Sequence, residues 1–109
     1  NRQVVLSDTL KKIVDYVNKN LSDEDMRLTL LAENMNMNPN YISQLFKKEL
    51  GCGYHAYLNQ VRVEKAKKYL RQTNEPISVV AELVGFSDYR IFTKIIKGIV
   101  GVTPSQFRK

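Results

Sequence analysis

One cysteine and one histidine are all this chain offers for thiol chemistry or a Cys/His metal site. Cys52 has no partner for an internal disulfide, which fits a reducing, cytoplasmic setting. His55 lies three residues from Cys52, and no Cys/His cluster has metal-ligand spacing. Cys52 therefore reads as a helix-turn residue without chemistry. The acidic run Asp23, Glu24 and Asp25 lacks the alternating ligands, glycine and distal glutamate of a calcium loop. There is no phosphate-cradling glycine loop and no pair of carboxylates converging on a pocket. Catalysis, cofactors and metals are not expected. No apolar run approaches the roughly 18–20 residues of a membrane span, and the first residues carry no signal-peptide pattern. Apolar alternation of period two is absent, so no strand is expected.

What the chain does have is helical periodicity and an uneven charge. Its 109 residues are 43% hydrophobic, enough for a packed core in one compact unit or two small ones sharing a helix. The net charge is +6. Residues 1–50 hold seven Lys/Arg and seven Asp/Glu, whereas residues 51–109 hold ten and four, so the whole excess lies in the second half. A basic surface implies a polyanionic partner. A membrane surface fits less well, because no basic amphipathic helix sets bulky aromatics opposite its charges.

The stretch from Pro76 to Lys109 is the most informative. Ser78 is expected to cap a short helix carrying Val79, Val80, Leu83 and Val84, which Gly85 ends. Phe86 plugs the corner, and Ser87 with Asp88 supplies an N-cap and a first-turn acid for the next helix. Ile91, Phe92, Ile95, Ile96 and Ile99 are expected to form its apolar face, with Arg90, Thr93, Lys94 and Lys97 opposite. Helix, glycine turn and basic second helix is the form of a helix-turn-helix.

The same form occurs earlier. Ser7 and Asp8 open a helix to about Asn20, with Leu10, Ile13, Val14, Val17 and Leu21 on one face. The acidic stretch Ser22 to Met26 reads as a solvated connection. Thr29 is expected to cap LLAENM, Asn36 to take the turn and Met37 to plug the corner. Asn38 caps a second helix that opens on Pro39 and carries Ile42, Leu45, Phe46 and Leu50. Ala32 and Ala81, Asn36 and Gly85, Met37 and Phe86, and Asn38 and Ser87 are each 49 apart. Ile42 and Phe92, Lys47 and Lys97, Gly51 and Gly101, and Tyr57 and Phe107 are each 50 apart. The chain is an internal duplication, with one residue added at the start of the second recognition helix. Between the copies, Tyr54 to about Gln72 reads as one long helix with two apolar stripes. Val63, Ala66, Tyr69 and Leu70 make the first, Leu58 and Val61 the second, and Glu64 and Lys68 form an i,i+4 pair.

The run I-x-x-x-A-x-x-x-G-F-S-D at Ile77, Ala81, Gly85, Phe86, Ser87 and Asp88 resembles the signature of AraC/XylS-type bacterial transcription regulators. So do Phe92 and the closing Gly101, Thr103, Pro104 and Arg108. The L-x-x-x-L-F-K-x-x-x-G character of the first copy and R-x-x-x-A-x-x-x-L at Arg62, Ala66 and Leu70 extend the resemblance over residues 7–109. Two departures stand out: Ile96 replaces the family's usual Phe, and Gly98 sits inside a helix, where Gly costs about 1 kcal/mol relative to Ala. The resemblance implies an all-α, homeodomain-like fold of about seven helices. Residues 1–6 would be a linker or terminus, 7–53 a first helix-turn-helix subdomain, 54–73 a linker helix and 74–109 a second subdomain. It also implies a sensing, receiver or dimerisation domain before Asn1, and RNA polymerase as a partner.

A DNA reader needs cations for phosphates and hydrogen-bonding side chains for base edges. Asn40, Ser43 and Gln44 in the first recognition helix, and Arg90, Thr93 and Lys94 in the second, are the base-contact candidates. Tyr89 stands beside the second set. Lys47, Arg71 and Lys97 are candidates for phosphate. The leading function is sequence-specific binding to double-stranded DNA as a regulator's output domain, with two recognition helices in successive major grooves. A linker of about 28 Å, at 1.5 Å per residue, suits grooves roughly 34 Å apart. The alternative is a helical protein-interaction module, contacting RNA polymerase for example, without DNA readout.

Overall fold

The computed structural model describes residues 6–109. The expected linker at 1–6 therefore falls, apart from Leu6, outside the described residues. Among those described the chain is all-α, with seven helices and no strand: α1 (Asp8–Asn20), α2 (Leu28–Met35), α3 (Pro39–Leu50), α4 (Tyr54–Gln72), α5 (Ile77–Leu83), α6 (Tyr89–Val100) and α7 (Pro104–Arg108). They form two compact units. One takes the chain up to Asn20 together with Asp25–Leu58, and the other takes Leu21–Glu24 and Asn59–Lys109.

In the first unit α3 packs on α1 and α2. Leu10, Ile13 and Val17 of α1, Leu31 and Ala32 of α2, and Ile42, Leu45 and Phe46 of α3 are buried. The Phe46 ring meets Tyr54 and Tyr57 from the start of α4, each at 5.4 Å between centroids. Ser7 caps α1 as expected, its Oγ accepting the Leu10 N–H at 3.2 Å. Asn38 caps α3 by accepting the Asn40 N–H at 2.8 Å, with Pro39 in the first turn. Thr29 is not a cap. The extended Arg27 carbonyl already accepts the Leu31 N–H, so α2 opens two residues earlier and no side chain caps it.

The second unit repeats this plan. Val63, Ala66 and Leu70 from α4, Val80, Ala81, Val84 and Phe86 from the α5 region, and Phe92 and Ile96 from α6 make its core. Ser78 does not cap α5, because Pro76, with φ of −55°, lets its carbonyl accept both the Val79 and Val80 N–H groups. The helix therefore starts at Ile77 and Ser78 lies inside its first turn. Ser87 is likewise displaced from its expected role. It remains in the turn, and the Asp88 carboxylate accepts the Arg90 N–H at 2.8 Å. Glu64 pairs with Lys67 at 2.9 Å instead of Lys68, i+3 being as reachable as i+4 on a helix.

Both turns close by the same hydrogen bonds. Met37 donates to the Ala32 carbonyl and Asn36 to Glu33, while Phe86 donates to Ala81 and Gly85 to Glu82. This is the Schellman arrangement, whose turn residue must be left-handed. Asn36 has φ of 57° and Gly85 φ of 99°. The duplication can now be registered: α3 and α6 each have 12 residues, and their caps Asn38 and Asp88 are 50 apart. The residue added in the second copy is Ser87, in the turn, not the first residue of the recognition helix.

Two arginines hold the second unit together through backbone carbonyls. Arg62 is buried; its Nε donates to Leu21 at 2.9 Å and its Nη2 to Asp23 at 2.7 Å, while its guanidinium lies over the Phe86 ring. The acidic connection is thus pinned at its backbone even though Asp23, Glu24 and Asp25 remain exposed. Arg108 donates to the carbonyls of Leu70, Thr73 and Glu75, which satisfies chain ends where α4 stops.

Candidate nucleic-acid interface

The expected reading residues fall on matching faces of α3 and α6. A helix turns about 100° per residue, so Asn40, Ser43, Gln44 and Lys47 lie within one narrow arc, opposite the buried Ile42 and Phe46. Arg90, Thr93, Lys94 and Lys97 occupy the same arc of α6, opposite Phe92 and Ile96. The core thereby fixes which way each polar face points. Asn40, Gln44, Lys47, Arg90, Lys94 and Lys97 are exposed, whereas Ser43 and Thr93 are half-buried.

Local contacts distinguish these residues further. The Thr93 hydroxyl donates to the Tyr89 carbonyl one turn back at 3.0 Å, so its methyl is the group left to offer a partner. Arg90 is 88% exposed, with Nε 3.6 Å from the Asp88 carboxylate. So exposed a pair contributes little energy. Arg71 stands apart from both helices. It lies near the end of α4 with its guanidinium 4.8 Å from the centre of the Phe107 ring of α7. That stacking orients a planar donor set suited to an anion.

The expected apolar face of α6 is narrower than the sequence suggests. Phe92 and Ile96 are buried and Ile95 packs at their edge, but Ile91 is 52% exposed and Ile99 44%. Ile91 lies at one edge of the apolar arc, beyond the residues that pack inward, while Ile99 lies within the arc but in the last turn of α6 and is exposed there. Tyr41, at the matching position of α3, is also exposed. The sequence reading placed Ile91 on the apolar face and passed over Tyr41, although their spacing of 50 within the duplication links the two.

The end of α3 carries a further feature. Glu49 accepts both the Ser7 N–H, at 2.6 Å, and the Ser7 hydroxyl, at 2.9 Å. These two donors hold its carboxyl below the ordinary glutamate range. A clasp thus ties the start of α1 to the last turn of the first recognition helix. No group of His, Cys, Asp and Glu side chains among the described residues is arranged to hold a metal ion. No helix among them is long and apolar enough to cross a membrane.

A helix-turn-helix domain model matches residues 31–109. The chain belongs to the AraC family. In curated proteins it is 35% identical over 100 residues to the regulatory protein PocR of Salmonella typhimurium, covering 92% of this chain and 33% of that one. It is 28% identical over 103 residues to the arabinose operon regulatory protein of Escherichia coli K12, covering 94% and 35%. Among solved structures, the C-terminal domain of AraT, a response regulator from Geobacillus stearothermophilus, superposes with a TM-score of 0.91 at 36% identity. That match covers 94% of this chain and 85% of that one. The chain spans about a third of the length of PocR and of the arabinose regulator. An AraC-type helix-turn-helix region of this kind is a sequence-specific DNA-binding domain of a transcription regulator.

Proposed function

We propose that this AraC-type domain reads double-stranded DNA with both recognition helices, α3 and α6, in successive major grooves. The observation that carries the reading is the duplicate polar face. Asn40, Ser43, Gln44 and Lys47 recur as Arg90, Thr93, Lys94 and Lys97, each pair 50 residues apart and each set opposite a buried apolar face. Asn40, Ser43 and Gln44 specify one segment, and Arg90, Thr93 and Lys94 the other. Arg and Lys can approach guanine O6 and N7, Asn and Gln can pair with adenine, and the Thr93 methyl can pack on thymine. Lys47, Lys97 and Arg71 take phosphates, setting register without reading sequence. Because the two motifs differ in every reading residue, a single chain reads a non-palindromic site. The uninterrupted 19-residue α4 joins the two readers.

The domain works without catalysis as the output part of a longer cytoplasmic regulator. A sensing, receiver or dimerisation region lies elsewhere in that protein, and RNA polymerase is a further partner. The name of AraT as a response regulator and the fraction of PocR that this chain spans support this arrangement.

Selection of bound sequences from random DNA tests the reading. Two specified segments are expected, about one helical turn apart. Arg90→Ala should relax preference in one segment alone, by about 1–3 kcal/mol for a bidentate guanine contact. Half a helical turn of DNA inserted between the segments should abolish joint engagement. Undiminished binding to that lengthened site would show that one motif does the reading. Binding without steep salt dependence would favour the protein-interaction module instead.

A further inference from the structure

Ile91 is the third residue of α6 and is 52% exposed, the most exposed large apolar side chain described. Single exposed apolar residues are common on protein surfaces, so exposure alone decides nothing. Position does. At about 100° per residue, Ile91 lies roughly 60° around α6 from Lys94 and about 100° or more from Phe92 and Ile96. It therefore lies between the two faces, about 40° from Ile95 at the edge of the core, and is the apolar residue of α6 nearest Lys94 around the helix. It also lies in the first turn, where the helix would approach base edges, directly beside Arg90. Ile99 makes an instructive contrast at 44% exposure. It is two turns further on, about 12 Å along the axis, and lies roughly 60° from Ile96, on the core side.

The first copy repeats the arrangement. Tyr41 is the third residue of α3, 48% exposed, beside Asn40 and on the Gln44 side of its face. The surrounding reading residues differ in every case between the copies. A bulky, largely apolar side chain at this flank does not.

The floor of the major groove offers one apolar group, the C5-methyl of thymine. We infer that Ile91 is a specificity-determining residue of the second motif that reads a thymine methyl beside the bases read by Arg90 and Lys94. The inference rests on the DNA-reading function proposed above. Physically, the contact removes the Ile91 side chain and the methyl from water together. It also acts against cytosine at that position, which has no C5-methyl and would set its N4 amino donor against an alkyl group that cannot accept a hydrogen bond. Ile91 thus adds a second apolar criterion, beside the Thr93 methyl, to a helix whose other reading groups are cations.

Replacing thymine by deoxyuridine tests this, because only the methyl is lost and every hydrogen-bonding group stays. Each thymine of the second segment of the selected site is replaced in turn, and affinity is measured at fixed salt for the wild-type chain, Ile91→Ala, Ile91→Val and Ile99→Ala. For the wild type, one position should weaken binding about fourfold, the worth of one buried methyl group. Ile91→Ala should bind the thymine and deoxyuridine sites alike at that position, while Ile91→Val and Ile99→Ala keep most of the difference. A selected second segment without thymine would overturn the inference. So would a wild type indifferent to every replacement, or an Ile91→Ala variant that keeps the full difference. In those cases, continued sensitivity to Arg90→Ala would leave DNA reading by α6 standing. Failure to select any sequence would remove both.

Discussion

Replacing Gly85 with alanine should damage the second unit far more than Asn36→Gly damages the first, although the two residues close equivalent turns. Gly85 has φ of 99°, a conformation that a Cβ penalises by about 1–2 kcal/mol. There is also no room. A Cβ built at Gly85 runs into the Leu21 carbonyl and lies 2.8 Å from Nε of Arg62. Leu21 O is backbone and cannot swing aside, and it is itself the acceptor for Arg62 Nε at 2.9 Å. Relief of the clash therefore breaks a hydrogen bond of a buried guanidinium, worth about 1.5–3 kcal/mol. Together these terms predict a loss of about 3–5 kcal/mol. For a domain of this size that lowers the melting temperature by more than about 10 °C. Thermal and urea unfolding followed by far-ultraviolet circular dichroism reads the effect. Asn36→Gly, at φ of 57° in a position that already accepts a side chain, should change stability by only a few tenths of a kcal/mol. A Gly85→Ala variant within about 0.5 kcal/mol of wild type would refute the reasoning, since surface substitutions away from special features fall in that range.

Other substitutions probe single contacts. Gly98 lies inside α6, exposed, with nothing within 4 Å of a built Cβ, so Gly98→Ala should add up to about 1 kcal/mol of stability in urea titration. A destabilised variant would show that the glycine serves a close contact or a non-helical backbone conformation in solution. Lys97→Ala should weaken binding to all DNA sequences alike and reduce the log–log salt slope by about 0.9; an unchanged slope removes Lys97 from the phosphate contacts. The Ser7–Glu49 clasp has an acid signature. The folded state lowers the Glu49 pKa, so the clasp stabilises fully above the ordinary glutamate value. That contribution disappears as pH falls through the lowered one. Glu49→Gln should therefore lose stability at neutral pH and show a flatter acid limb than wild type. An unaltered limb would show that the clasp does not survive in solution.

Much of the fold was legible because its signals are local. Asn38 before Pro39, Gly85 after α5 and Ser7 before α1 each act within a turn of their own position, and the structure uses all of them as expected. The duplication was legible because both copies meet the same packing problem. The misplaced caps share one cause. Thr29, Ser78 and Ser87 are all capable caps, but the backbone conformation of Arg27, Pro76 and Asp88 determines where each helix starts. Composition cannot rank such neighbours.

Arg62 and Arg108 count toward the excess charge of the second half, yet both serve carbonyls of their own unit. Their acceptors, Leu21 and Asp23 for one and Leu70, Thr73 and Glu75 for the other, lie 33–41 residues away. No periodic pattern connects them. The same limit applies to α6. Periodicity put Ile91 and Ile99 with Phe92, Ile95 and Ile96, but how far a buried face extends, around the helix and along it, is set by the helices packed on it. A sequence carries the helices and turns because those depend on neighbours in the chain. Which charges are committed to carbonyls, and which isoleucines remain in water, depends on residues brought close only when each unit folds.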